Sequence, residues 1–166
     1  NCWAVNNTVY GFNTNLDLWQ SMFGTGYSTN CHILNNIFYH NDDNTTVGLF
    51  NSNSALTKPA TLDYNLWYVE RQATNYIALV SMYQSGSNGF LYEYFINNWS
   101  EIKTEFGYEL HSPPISNPLF TNVANNDFSL QGASPAKGAG DPGLAIPYDI
   151  GWMPRSATAP SIGCYE

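Results

Sequence analysis

Apolar and polar residues follow one another in a pattern that returns at a fixed distance. The segment Cys2-Trp3-Ala4-Val5-Asn6-Asn7-Thr8-Val9-Tyr10 aligns without gaps on Cys31-His32-Ile33-Leu34-Asn35-Asn36-Ile37-Phe38-Tyr39. That in turn aligns on Ala60-Thr61-Leu62-Asp63-Tyr64-Asn65-Leu66-Trp67-Tyr68, so that Asn7, Asn36 and Asn65 are each 29 residues apart. The columns Ala4/Ile33/Leu62 and Val9/Phe38/Trp67 are apolar, Asn7/Asn36/Asn65 is constant, and Tyr10/Tyr39/Tyr68 is aromatic. A fixed period of this length is the pattern of a stacked repeat architecture. Each copy predicts two short strands with a bend at the Asn. One such rung cannot bury its apolar side alone, but parallel rungs about 4.8 Å apart can, and equivalent side chains then stack on one another. A buried Asn at the bend can donate its amide to the carbonyl of the Asn in the next rung. Left unpaired, such a group costs about 1–3 kcal/mol. Asn7, Asn36 and Asn65 are therefore assigned to a structural ladder, and the aromatic column to core packing.

Between the copies, Phe12 to Asn30 and Asp42 to Pro59 are rich in Asn, Ser, Thr and Gly and read as a third side plus loops. After Tyr68 the pattern loosens. Ile77-Ala78-Leu79-Val80 and Phe90-Leu91-Tyr92 predict the strands of a hairpin-like excursion, with Ser85-Gly86-Ser87-Asn88-Gly89 as its turn. Asn98 can cap a short helix that starts at Trp99, nearly the only helix expected. The expected organisation is one all-β domain over 1–166: regular rungs over 1–70, an excursion over 71–112 and a closing module over 113–166.

From Leu62 onward the chain resembles the closing module of secreted right-handed parallel β-helix proteins of the pectate-lyase-like superfamily. The resemblance rests on an ordered series. It begins with Asp63-Tyr64-Asn65-Leu66-Trp67, Trp99, Phe106-Gly107 and His111-Ser112, followed by Asn117-Pro118-Leu119-Phe120 and Asn126-Asp127-Phe128-Ser129-Leu130. Gly132-Ala133-Ser134-Pro135-Ala136, Gly138-Ala139-Gly140 and the ending Asp149, Gly151, Pro154-Arg155, Ile162-Gly163-Cys164-Tyr165-Glu166 complete it. The stretch Asp149 to Arg155 departs from the family's usual Asp-Gly-Arg turn, and Cys164 stands where a small residue such as Ala is usual. The resemblance implies a right-handed solenoid with long loops and a closing-turn ion pair of Asp149 with Arg155. The superfamily holds polysaccharide lyases, glycosidases, adhesins and surface proteins, so fold leaves function open.

Charge narrows the partners. Thirteen acidic against five basic residues give a net charge of −8. Phosphate backbones and anionic membranes need clustered Lys and Arg, and the five here are scattered, so neither nucleic acid nor membrane is expected as a partner. No apolar run approaches the roughly 18–20 residues of a membrane span. The Asn-, Tyr- and Thr-rich composition suggests a secreted or cell-surface protein. The chain begins with Asn1, without Met or a signal peptide, and reads as the C-terminal part of a longer chain or a mature product.

The residues offer little chemistry. Lyases of this fold need a Lys or Arg base and often a carboxylate-bound Ca2+, and glycosidases need two spaced carboxylates. Asp42-Asp43 reads more simply as a solvated turn than as a Ca2+ site, and Asp63 stands alone on its strand. His32, His40 and His111 lack metal spacing; His32 falls in the outward Trp3/Thr61 column, and His111 is expected to pack or hydrogen-bond locally. No metal site, cofactor or catalytic set is expected. Among the tryptophans, Trp67 and Trp99 look buried, whereas Trp19 and Trp152 lie in loop-like stretches and are the candidates for stacking on sugar rings; capping of the coil is the alternative. Three N-x-S/T sequons begin at Asn6, Asn44 and Asn98, of which Asn44 sits in the most accessible context.

The expected function is a non-catalytic extracellular structural or assembly module that meets upstream rungs or identical subunits, adding end to end into filaments. The alternatives are the C-terminal part of a secreted polysaccharide lyase or glycosidase, and a surface module binding extracellular polysaccharide. Cys2 and Cys31 fall in one column, at a separation compatible with a disulfide of roughly 4.4–6.8 Å between Cα atoms. Cys164 would then be the unpaired thiol, buried under the closing strand; three reduced thiols are the alternative.

Overall fold

The computed structural model describes residues 2–11, 31–40, 61–70, 78–83, 90–95 and 99–166. Trp19, Asp42-Asp43, Asn44 and Asn98 lie outside the described residues. Each copy of the repeat forms two strands: β1 (Cys2–Val5) and β2 (Thr8–Tyr10), β3 (Cys31–Leu34) and β4 (Ile37–His40), β5 (Thr61–Asp63) and β6 (Leu66–Val69). β1-β3-β5 make one parallel sheet and β2-β4-β6 a second, in the same order. The registers are the sequence columns: Ala4↔Ile33↔Leu62 in the first sheet, Val9↔Phe38↔Trp67 and Tyr10↔Tyr39↔Tyr68 in the second. Among the described residues the chain is thus mostly β-structure, with one α-helix, Trp99–Phe106.

The bend falls one residue earlier than expected. Asn6, Asn35 and Tyr64, each just before a ladder Asn, adopt left-handed backbone at φ 56°, 58° and 56°. Asn tolerates this region better than most residues. Tyr64 takes it where Asp63 Oδ1 accepts the Tyr64 N–H at 2.9 Å.

β4 and β6 are buried on both faces, and β2 is half-buried. Phe38 and Trp67 stack at 4.2 Å and 22° on one face. On the other, Ile37, Tyr39 and Leu66 pack in a cluster with Phe120, Leu130, Ala136 and Ile162. Tyr10, Tyr39 and Tyr68 follow one another at ring centroid distances of 4.7 and 4.9 Å, so the aromatic column is core, as its burial demands.

Two antiparallel hairpins follow the parallel sheets in sequence. β7 (Ala78–Tyr83) and β8 (Phe90–Phe95) form the excursion, with strands somewhat longer than the sequence pattern outlines. β9 (Phe120–Asn122) and β10 (Asp127–Leu130) are joined by a 3-10 turn that ends on left-handed Asn126 at φ 58°.

Two further segments close the copies. Residues 108–116 cross the third copy, where Glu109 N donates to Leu62 O at 2.7 Å and Ser116 N to Trp67 O at 3.1 Å. The last thirty residues then run back toward the first copy. Asp141 N donates to Asn35 Oδ1, Ile146 N to Asn6 Oδ1, and Cys164 N to Thr8 Oγ1. Gly163 permits this approach: it sits at φ 92°, and a Cβ there would lie 2.6 Å from Ile37 Cδ1.

Candidate functional site

The parallel registers bring Asn7, Asn36 and Asn65 into one line. Asn7 N and Nδ2 both donate to Asn36 Oδ1 at 3.0 Å. Asn36 N and Nδ2 both donate to Asn65 Oδ1, again at 3.0 Å. Every amide points the same way, from the first copy toward the third. The amides also donate backward: Asn36 Nδ2 to Ala4 O at 2.8 Å and Asn65 Nδ2 to Ile33 O at 3.1 Å. Asn36 and Asn65 therefore each join three layers, whereas Asn7 joins two.

The line ends on Glu109, whose residue exposure is 1%. Its Oε1 accepts from Asn65 Nδ2 and from Trp67 Nε1, both at 3.0 Å. Its Oε2 accepts from the Ser112 hydroxyl and from Asn65 N at 3.4 Å, while Ser112 Oγ also accepts Asn65 N at 2.9 Å. In its ionised form a carboxyl group only accepts, so it suits the donor end of a one-way array of amides. Burial pushes the Glu109 carboxyl up to about 7, against the opposing pull of its bonds from Ser112, Trp67 and Asn65. The group is sealed under residues 108–116 and is built to terminate the ladder. Glu109 is the residue that reading the repeat misses, because it follows Asn65 by 44 positions and lies off the 29-residue period.

On the outer side of the same segment lies a second arrangement. His111 Nδ1 and Asp63 Oδ2 are 2.6 Å apart, and His111 N donates to Asp63 Oδ1 at 2.8 Å. The imidazole stacks on Tyr64 at 5.0 Å and 12°. Asp63 is thus not alone on its strand, as its sequence context suggests; it anchors the segment that carries Glu109. His111 hydrogen-bonds locally, as expected. His32 stacks under Trp3 at 3.8 Å and 14° and meets Thr61 Oγ1 at 3.1 Å, in the column assigned to it.

The closing turn is wired differently from the expected Asp149–Arg155 pair. Buried Arg155 donates to Ser161 O, Gly163 O and Tyr165 O at 2.8–3.3 Å and forms its ion pair with Glu166 at 3.5 Å. Asp149 instead accepts Met153 N and Glu166 N. The guanidinium fork has donors enough for several carbonyls at once, and the irregular segment over 161–165 supplies them. Burial lowers the Arg155 pKa, and the Glu166 and Asp149 carboxylates oppose that shift.

Cys2 and Cys31 are directly opposed in the β1–β3 register, and their side chains lie outside the described residues. Cys164 is free and half-buried rather than buried, and its N–H donates to Thr8 Oγ1 of the first copy. Asn6 is buried, its Nδ2 donating to Ser161 O and Gly163 O, which removes that sequon from access in the folded chain. Trp67 is buried and Trp99 only partly so. Trp152 is 83% exposed at the tip of the Tyr148–Pro154 turn, 6.4 Å from the Tyr148 ring at 49°. No protein-family model, curated protein or solved structure matches the chain.

Proposed function

We propose that this chain is a non-catalytic structural module, the closing end of a right-handed parallel β-helix of the pectate-lyase-like kind that works outside the cell. The observation that carries the reading is the end of the ladder. Three Asn amides in successive parallel layers run onto a buried carboxyl group that accepts from both Asn65 and Trp67. Such a group stops a stack, and residues 108–116 cover the third copy with irregular backbone instead of another strand pair. The interior acid is committed to Asn65, Trp67 and Ser112, which favours architecture over chemistry.

Growth in this reading is one-ended. Head-to-tail filaments, the other form of assembly that a stacked repeat allows, require residues 108–116 to leave the third copy. Two measurements test the reading. The chain is expected to give no β-elimination and no reducing-end release from pectin, alginate or related polymers; turnover would overturn it. Electron microscopy at native concentration is expected to find no filaments, and regular fibres would replace closing with self-assembly.

A second reading, glycan binding, is favoured by Trp152. Its ring and that of Tyr148 are splayed on a turn whose backbone is fixed by Asp149, with Trp152 N donating to Asp149 O at 3.1 Å. Affinity electrophoresis on a polysaccharide panel separates the two readings. Retardation that disappears in Trp152→Ala supports binding, and equal migration of both chains removes it.

A further inference from the structure

The ladder has two ends, and they differ. Asn36 Oδ1 and Asn65 Oδ1 each accept two N–H groups from the layer before. Asn7 Oδ1 accepts none among the described residues, and Asn7 is exposed. Asn36 and Asn65 each donate Nδ2 back to a carbonyl of the preceding copy. Asn7 turns that hydrogen onto Val5 O of its own copy, at a longer 3.3 Å. A third column is cut off at the same level. His32 carries the Trp3 ring at 3.8 Å on one side, while Trp3 remains 52% exposed.

The backbone matches the side chains. Ile37 N donates to Asn7 O and Gly11 N to Tyr39 O, so the odd residues of the second strand face β4. Asn6 N donates to Leu34 O and Ala4 O accepts from Asn36, so the even residues of the first strand and bend face β3. By the alternation of a parallel ladder, the N–H groups of Trp3, Val5, Thr8 and Tyr10 point off an edge that pairs with no other strand among the described residues.

We infer that this edge of the first copy is a docking site for one further polypeptide layer of strand–Asn–Asn–strand design, laid parallel and in register. Only that chemistry fills all the open positions together. Its second Asn supplies a peptide N–H and an amide N–H to Asn7 Oδ1. The carbonyl equivalent to Ala4 O draws Asn7 Nδ2 away from Val5, and a flat side chain at the Trp3 position covers the exposed ring. A second copy of this chain does not present such a layer at its far end, because Glu109 and residues 108–116 occupy it. The inference deepens the stacking-module reading and rests on it.

The test is a full chain with residues 2–30 duplicated ahead of residue 2, so that the added layer is tethered by the same connection that joins copies one and two. Hydrogen exchange is read at Trp3, Val5, Thr8 and Tyr10 of the original first copy. Exchange there is expected to slow by about 100-fold or more. Asn→Leu at the duplicated position of Asn7 is expected to return at least tenfold of that protection. Unchanged exchange in a chain whose near-ultraviolet circular dichroism is retained would overturn the inference, as would equal protection with Leu. Protection of the unmodified chain that rises with its concentration would assign the edge to a second copy instead. If the duplicated chain does not fold, the peptide of residues 31–40 with Cys31→Ser, added to the unmodified chain, decides by the same amides, and absence of protection at saturating peptide counts against the inference. Any of these failures leaves the stacking-module reading standing as long as polysaccharide turnover stays absent.

Discussion

Glu109 sets the acid–base behaviour of the interior. Its carboxyl is raised to about 7 by burial from an ordinary value of 4.5. The folded chain therefore holds this proton more tightly than the unfolded chain. The stability contributed by the protonated group is fully present below pH 4.5 and is lost as pH rises through about 7, a change of about 3 kcal/mol by linkage. Urea midpoints measured between pH 5 and pH 8 are expected to fall, and Glu109→Gln is expected to flatten that slope; an equal slope in both chains would assign it elsewhere. The ladder residues form a gradient. Asn36→Ala removes the acceptor of Asn7 N, one of the two donors to buried Asn65 Oδ1 and the bond to Ala4 O, and is expected to cost about 3 kcal/mol. Asn7→Ala removes a half-used amide at an exposed end and is expected to cost about 1 kcal/mol. Equal costs would mean that the ladder is not polar in its energetics.

Strand pairing was legible in the residues because parallel stacking without insertion keeps like side chains in one column. The alignment of Ala4 with Ile33 and Leu62 is a register as it stands. The left-handed residue was not legible, since Tyr64 breaks the Asn6/Asn35 column that would have marked it. Glu109 was not legible either, because it enters from an irregular segment where no period points to it. The expected Asp149–Arg155 pair failed because charge in sequence says nothing of the neighbouring carbonyls, and three of them claim the guanidinium. Two elements can be tested directly. Gly163→Ala adds a Cβ against Ile37 and Thr8 in left-handed backbone and is expected to destabilise by about 3 kcal/mol, read as a lowered urea midpoint. With Cys2 opposite Cys31 in the β1–β3 register, an oxidised bond between them is expected; thiol counting on denatured, unreduced protein should find one reactive thiol, that of Cys164, whereas three would mean that the column is reduced.

Over the whole molecule, the copies are local in sequence and their closure is not. Asn6 Nδ2 reaches the carbonyls of Ser161 and Gly163, 155 and 157 positions away, and Asn35 O accepts Gly163 N. The composition could not have announced this, because Ser161, Ile162 and Gly163 carry no pattern that points back to an Asn at the other end. Its consequence lies in time. A chain leaving the ribosome offers Asn6 and Asn35 well before Ser161 and Gly163, and their left-handed backbone must wait, with those amides wet, until these residues arrive. The first copies are then complete only once residues 161–163 have been made, so their folding is expected to be slowed by this late, distant closure. Nascent chains arrested before Pro160 should remain sensitive to protease in residues 2–11, and released full-length chains should become resistant in a single slow phase. Early resistance of the arrested chains would place the folding nucleus in the ladder and reduce the returning segment to a late ornament of a fold already made.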